Sequence, residues 1–283
     1  KLALVDEDGK VVHLDSEKVT SNHKAAVNGI LARLSGEFPL NRITSAGVSG
    51  TGKTIVPKEF GWAEYSSPLA ISSGLLQGYP DAKTIIYIGG QSSLVIGLDD
   101  GLEKPWQVAS NPLCAAGTGR FLEQQAYRLG ISMDDFASLA VQSQDSPPRI
   151  AARCSVFAKS DLIHLQQKGV QLEAMLYALC ESIARMVVSL KKRTFEEPVY
   201  LVGGVAANGA IVKALNDVIS TRNEHRVEIT VPENHLHIEA LGAALLSKGK
   251  GSQVALLPHT DAGVRYLEIP KLERPDRQEG RDS

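Results

Sequence analysis

Cysteine, aromatic residues and net charge are all scarce in this chain. Three cysteines among 283 residues cannot build a disulfide framework, which excludes the small secreted scaffolds. A formal charge of −2, with acids and bases nearly balanced, leaves no basic surface to advertise a nucleic-acid partner. No apolar run reaches the length of a membrane span and no signal peptide is visible, so the chain reads as soluble and intracellular, without a membrane partner. An initiator Met is missing too. Lys1 runs straight into Leu2-Ala3-Leu4-Val5, as expected of an excised piece with sequence upstream.

What is present is enough length for one large domain or two lobes with a sizeable core. The organising stretch is Leu113–Gly130, where Cys114 is followed by Gly117-Thr118-Gly119 and then by Phe121, Leu122, Ala126 and Leu129 at helical spacing. A glycine turn opening a helix is predicted to present free backbone N–H groups and the positive end of the dipole, an anion site. Cys154 repeats the layout, starting a short helix that ends at Gly169. The alternative for both cysteines is a pair of small buried apolar side chains. Cys180 lies within the long amphipathic helix Gln171–Leu190 and reads as core.

Around these stretches the pattern alternates. Leu2–Val5 and Val11–Leu14 flank an Asp-Gly tip and predict a hairpin, and Leu94–Leu98 with Trp106–Val108 predict a second. Helices are expected over Ser21–Leu34 (Ala25, Val27, Ile30, Leu31 and Leu34 facing a core), Tyr65–Gln77, Ile211–Ile219 and His235–Leu246. Strands are expected at Arg42–Val48, Thr84–Ile88, Pro198–Val202 and Arg226–Val231. Two of these strands run into glycine, at Gly89-Gly90-Gln91 and at Gly203-Gly204-Val205-Ala206-Ala207-Asn208. With Gly117-Thr118-Gly119 they make three glycine turns at the ends of α/β elements, the layout of a nucleotide cleft between two lobes. Gly47–Thr54 matches the phosphate-loop pattern letter for letter, but Pro57 and Gly61 stand where its helix should propagate. His235 and His237 read as capping or surface residues.

The wording around Cys114, Cys154, Ile88–Gln91 and Gly203–Asn208 resembles the BadF/BadG/BcrA/BcrD-type ATPases, activators of 2-hydroxyacyl-CoA dehydratases and ATPase subunits of benzoyl-CoA reductases. The resemblance runs from about Thr84 to about Leu246 and implies a two-lobe actin/hexokinase/Hsp70-like, ribonuclease H-like α/β fold lacking its N-terminal strand here. Lobes at 1–84 (joined by helix 235–247) and 85–234, then a linker or tail at 248–283, follow from it. It further implies ATP or ADP with Mg²⁺ in the cleft and one 4Fe–4S cluster shared by a homodimer or fused twin, with Cys114 and Cys154 as each copy's ligands. Gly89, Gly90 and Gln91 match the second phosphate motif, and Gly203, Gly204, Val205 and Asn208 the adenosine motif. Gly117, Thr118 and Gly119 link the cluster helix to the nucleotide. The implied partners are a CoA-thioester dehydratase or reductase component and a ferredoxin or flavodoxin donor, all in the cytoplasm. Against that pattern, Tyr87 and Ser92 replace two aspartates and Leu94 a lysine, which leaves two readings open: a working activator ATPase, or a cluster-holding pseudo-ATPase paired with an active twin. A phosphate-loop NTPase is the third and weakest.

Overall fold

The structure, a computed structural model, describes residues 1–19, 22–98, 107–111, 118–143, 146–151 and 154–257. It opens on the antiparallel hairpin of β1 (Leu2–Val5) and β2 (Val11–Asp15). The tip forms because the Asp6 carboxylate accepts the N–H groups of Asp8 and Lys10, while Gly9 takes a φ of +83°. Helix α1 (His23–Glu37) follows, capped by the Asn22 side chain and burying Ile30, Leu31 and Leu34. Ala25, expected on the core face, is exposed.

The predicted strand at Arg42–Val48 is shorter than its apolar content suggested. Leu40–Arg42 is a 3₁₀ turn, Ser45 makes a single antiparallel bridge to Gly251, and β3 (Gly47–Val48) pairs in parallel with β4 (Ala63–Glu64). Between them Gly50–Thr54 and Lys58–Phe60 form two further 3₁₀ turns, the second closed by Gly61 at φ +66°. Helix α2 (Ser67–Leu76) comes next.

A five-stranded sheet carries the main core. Its order is β7 (Gln107–Ser110), β6 (Ser93–Gly97), β5 (Thr84–Ile88), β8 (Val199–Val202) and β9 (Ile229–Thr230). The first three are antiparallel neighbours, and β5, β8 and β9 run parallel. The second predicted hairpin is therefore β6 with β7, although Trp106 and the Asp-Gly turn before it lie outside the described residues. The strand expected at Arg226–Val231 is reduced to the two paired residues of β9.

Period-two alternation sorts the sheet residues to opposite faces. Ile86, Ile88, Val95, Val199 and Leu201 join one apolar cluster with α3 (Gly119–Leu129), α4 (Met133–Val141), α6 (Leu172–Leu190) and α7 (Gly209–Asn223). Ile85, Leu94, Ile96, Tyr200 and Val202 join another with Ile71 and Leu75 of α2 and Ile238 of α8 (Ile238–Leu246). Both faces are covered, which is why β5 and β8 read as unbroken apolar runs. Helix α5 (Ser155–Gln167) packs on α6. Gly130 and Gly169 stop α3 and α5 in left-handed conformation, as expected. Among the described residues no helix is long and apolar enough to cross a membrane.

Two helices cross unusually closely. A Cβ on Gly74 of α2 would overlap the Ile238 carbonyl of α8, and one on Gly242 of α8 would overlap the Ala70 carbonyl of α2. Because α8 also lies against β1 and β3, this crossing joins the main sheet to the N-terminal hairpin.

Candidate functional site

The three glycine turns of the sequence come together, and each uses its missing side chain. Gly203 leaves β8 at φ +99°, and a Cβ there would sit 2.5 Å from the Ile88 carbonyl oxygen at the end of β5. One on Gly119 would lie 2.9 Å from Val205 and 3.3 Å from the Gly89 carbonyl. Glycine is needed because two strand ends and a helix start share one small volume.

The start of α3 departs from expectation. Its first N–H groups are not free: Gly119 donates to the Gly89 carbonyl and Arg120 to the Gly90 carbonyl, each at 2.9 Å. The sheet turn, without side chains, comes close enough to satisfy the helix end itself. α3 is thus hydrogen-bonded to the very turn that follows β5. Thr118 is buried beside it, whereas Gly90 and Gln91 are exposed. Gly117 and Cys114 lie outside the described residues.

Asn208 does local work that its motif did not announce. Its side-chain oxygen accepts the N–H groups of Ala210 and Ile211 and so caps α7. Its amide nitrogen is buried without a hydrogen-bond partner, a costly state that a polar ligand atom would relieve. His235 neither floats on the surface nor caps. It exchanges two hydrogen bonds with Gly203, its ring Nδ1 to the carbonyl and its own carbonyl from the Gly203 N–H, both at 2.9 Å. That clamp fixes the strained turn.

The phosphate-loop match is a packing coincidence. No α-helix starts at Thr54: Gly50–Thr54 is itself a 3₁₀ turn, and the next is Lys58–Phe60. Gly47 is small because a Cβ would overlap the Ala243 carbonyl of α8, not because a phosphate approaches it.

Sequence reasoning missed one cluster. Glu239, in the first turn of α8, accepts the Ser49 hydroxyl at 2.8 Å and the Tyr87 hydroxyl. Burial first, then this carboxylate, pushes the Tyr87 phenol well above its ordinary pKa, so it stays protonated and donates. The Tyr87 hydroxyl also sits 2.6 Å from where a Gly89 Cβ would be. Nothing in the spacing of residues 49, 87 and 239 signals this; the helix crossing alone brings them together.

Cys154 precedes α5 as its N-cap residue, partly exposed, with no cap hydrogen bond from its side chain. It lines a cleft of about 700 Å³ together with Arg149, Asp161 and Arg185. Arg185 is paired with Glu181 at 2.6 Å, and Arg149 is exposed. Cys180 is fully buried in α6, and burial pushes its thiol pKa up, as suits an inert core residue. Among the described residues no three His, Cys, Asp or Glu side chains gather to hold a metal ion.

Known proteins match this geometry and sequence. The activator of lactoyl-CoA dehydratase from Anaerotignum propionicum is 39% identical over 169 residues, 59% of this chain and 61% of that protein. The 2-hydroxyisocaproyl-CoA dehydratase activator of Clostridioides difficile is 37% identical over 167 residues, again 59% of this chain and 60% of the relative. The chain thus spans about three fifths of the length of these curated relatives. The solved activator of the 2-hydroxyisocaproyl-CoA dehydratase from Clostridium difficile, with bound ADPNP, superposes with a TM-score of 0.73 at 28% identity, covering 87% of this chain and 88% of that one. Component A of the Acidaminococcus fermentans (R)-2-hydroxyglutaryl-CoA dehydratase gives 0.72 at 26%, covering 86% and 91%. These neighbours share the actin/hexokinase-like ATPase fold, and this chain has it too. With the sequence profile of one family matching residues 4–247, the glycine turns, the helix crossing and the similarities converge: the chain belongs to the BadF/BadG/BcrA/BcrD ATPase family.

Proposed function

We propose that this chain is an ATP-dependent activator of a CoA-thioester dehydratase or reductase, passing it a low-potential electron received from a ferredoxin or flavodoxin in the cytoplasm. The observation that carries the reading is the pair of hydrogen bonds tying Gly89 and Gly90 to the start of α3. A turn displaced by a phosphate would shift the start of that helix, which Cys114 precedes in the sequence. The turns fit a nucleotide: Gly90 is exposed and a Cβ there would meet nothing within 4 Å, and Asn208 keeps a buried, unpartnered amide nitrogen. Gly89, Gly90 and Gln91 would hold phosphates with Mg²⁺, and Gly203, Gly204, Val205 and Asn208 the adenosine. Gly117, Thr118 and Gly119 form the link to the cysteine.

Cys154 fits a 4Fe–4S cluster in donor chemistry, being partly exposed with its side chain not engaged as a helix cap, in a cleft that Arg149 also lines. The cluster supplies a one-electron carrier when bound. Cys114 and Cys154 would hold it together with the same pair from a second copy or fused twin. In this reading residues 1–84 with helix 235–247 form the first lobe and 85–234 the second. The α2–α8 crossing belongs to the first lobe in this reading, and its Ile71, Leu75 and Ile238 pack that lobe on the sheet of the second.

Anaerobic reconstitution of the chain with iron and sulfide tests this. A chromophore with about four irons per two chains, and ADP binding in the same preparation, is the expected result. Absence of both ends the proposal. A second reading, a cluster-holding partner without turnover, is favoured by the phenol of Tyr87 standing where the resemblance puts an aspartate. Comparing ATP hydrolysis by the chain and by Tyr87→Asp/Ser92→Asp separates the two. We expect slow hydrolysis that the double change raises roughly tenfold or more, within the range of a restored general base or cation ligand. Brisk hydrolysis that the change leaves alone would show those carboxylates to be irrelevant.

A further inference from the structure

The cluster of Glu239, Ser49 and Tyr87 is not used by the motifs above, and its composition is unusual. An acid in a first helical turn is favoured by the helix dipole alone. Glu239 does more than face the dipole. It is half-buried, its Oε1 accepts the Ser49 hydroxyl at 2.8 Å, and the Tyr87 hydroxyl is hydrogen-bonded to it. The same oxygen lies 3.5 Å from where a Cβ on Gly50 would be, and Gly50, at φ +60°, leaves that side open. On the other side, Tyr87 carries its hydroxyl against Gly89. The carboxylate therefore stands one hydroxyl away from the Gly89-Gly90 turn, between that turn and the Ser49-Gly50 turn.

A nucleotide seated on Gly89–Gln91 brings phosphate charge and, with it, a divalent cation. Such cations take one or two carboxylates, directly or through retained waters, alongside the phosphate oxygens. Position 87 offers a protonated phenol and position 92 a hydroxyl, neither a good ligand for a hard cation. Glu239 is the carboxylate that the fold delivers to the same place from a different element. We propose that Glu239 is the residue through which this cleft engages the cation of a bound nucleotide, standing in for the carboxylates absent at Tyr87 and Ser92. The proposal rests on the nucleotide reading above and is more specific than it. Ser49 and Tyr87 act as positioning residues, each holding the carboxylate by a hydroxyl.

The test is the cation dependence of ADP affinity, measured by calorimetry on the full chain with and without Mg²⁺. For the wild type, Mg²⁺ should tighten ADP binding roughly tenfold, which is about 1.4 kcal/mol. Glu239→Gln should erase that gain, with cation-free ADP binding no weaker than in the wild type because a carboxylate facing phosphate is neutralised. Adding Tyr87→Asp to the Gln variant should restore it, since a carboxylate then returns from β5. Mn²⁺ in place of Mg²⁺ adds a spectroscopic readout: its ADP-dependent enhancement of water-proton relaxation should disappear in Glu239→Gln. If that variant fails to fold, Glu239→Asp carries the test and should shrink the Mg²⁺ effect without changing cation-free binding. A wild-type Mg²⁺ effect in either variant overturns the proposal. ADP binding with no cation effect in the wild type also overturns it and leaves the nucleotide reading standing. No ADP binding at all removes both.

Discussion

Gly242→Val should leave the chain without a stable fold, and Gly242→Ala should already lower its thermal midpoint by roughly 10 °C. The reason is the crossing of α2 and α8. A Cβ at Gly242 overlaps the Ala70 carbonyl, and one at Gly74 overlaps the Ile238 carbonyl. A side-chain clash can be relieved by a change of rotamer, but here the obstacle is backbone in both directions. The helices must separate, and Ile71, Leu75 and Ile238, buried against the sheet, lose their packing as they do. Overpacking of this kind costs on the order of 3 kcal/mol or more, and each kcal/mol lowers the midpoint of a chain this size by about 2–4 °C. Gly36→Ala is the control. It lies in α1 with nothing within 4 Å of its Cβ position, so the change should be neutral or raise the midpoint slightly through better helix propensity. Differential scanning of the three variants decides the matter. A Gly242→Ala midpoint equal to that of Gly36→Ala would show the crossing to be looser than its geometry.

Cys154→Ser and Cys114→Ser should each abolish the reconstituted iron–sulfur chromophore, whereas Cys180→Ala should retain it. Cys154 begins α5, partly exposed and lining a cleft with Arg149 and Arg185. Cys180 has no solvent contact, lies among Leu179, Ile183 and Ala184 in the main core, and has its thiol pKa raised by burial. Losing its sulfur leaves a small void, a stability cost of about 1 kcal/mol with no bearing on iron. Absorption, iron content and mass, measured anaerobically, give the result. If two copies share the ligands, a single serine per chain removes two of four, and the dimer should dissociate with the chromophore. A cluster that survives Cys154→Ser, or that disappears with Cys180→Ala, would refute the assignment.

Much of the fold was legible because it rests on local periodicity. Ile85, Ile86 and Ile88 mark β5, and Leu172 to Leu190 mark α6. Gly130 and Gly169 stop their helices at the expected residues. The short strands were overread: β3 and β9 keep only two paired residues each, because apolar content does not reveal how far a neighbouring strand extends. Spacing puts Ala25 on the core face, yet it is exposed while Ala26 and Val27 beside it are part-buried.

The amino-acid sequence by itself determined the element order, the three glycine turns and the two cysteines that precede helices. Each of these depends on a residue's own backbone freedom or on its near neighbours in the chain. Tertiary structure alone decided what those groups do. It spent the first N–H groups of α3 on Gly89 and Gly90, set Gly47 against α8 in place of a phosphate, and clamped Gly203 with His235. It also brought Glu239 to Ser49 and Tyr87, residues far apart in the chain. The last of these meetings depends on how closely α8 approaches α2. Two glycines permit that approach, and their effect is invisible until the helices touch.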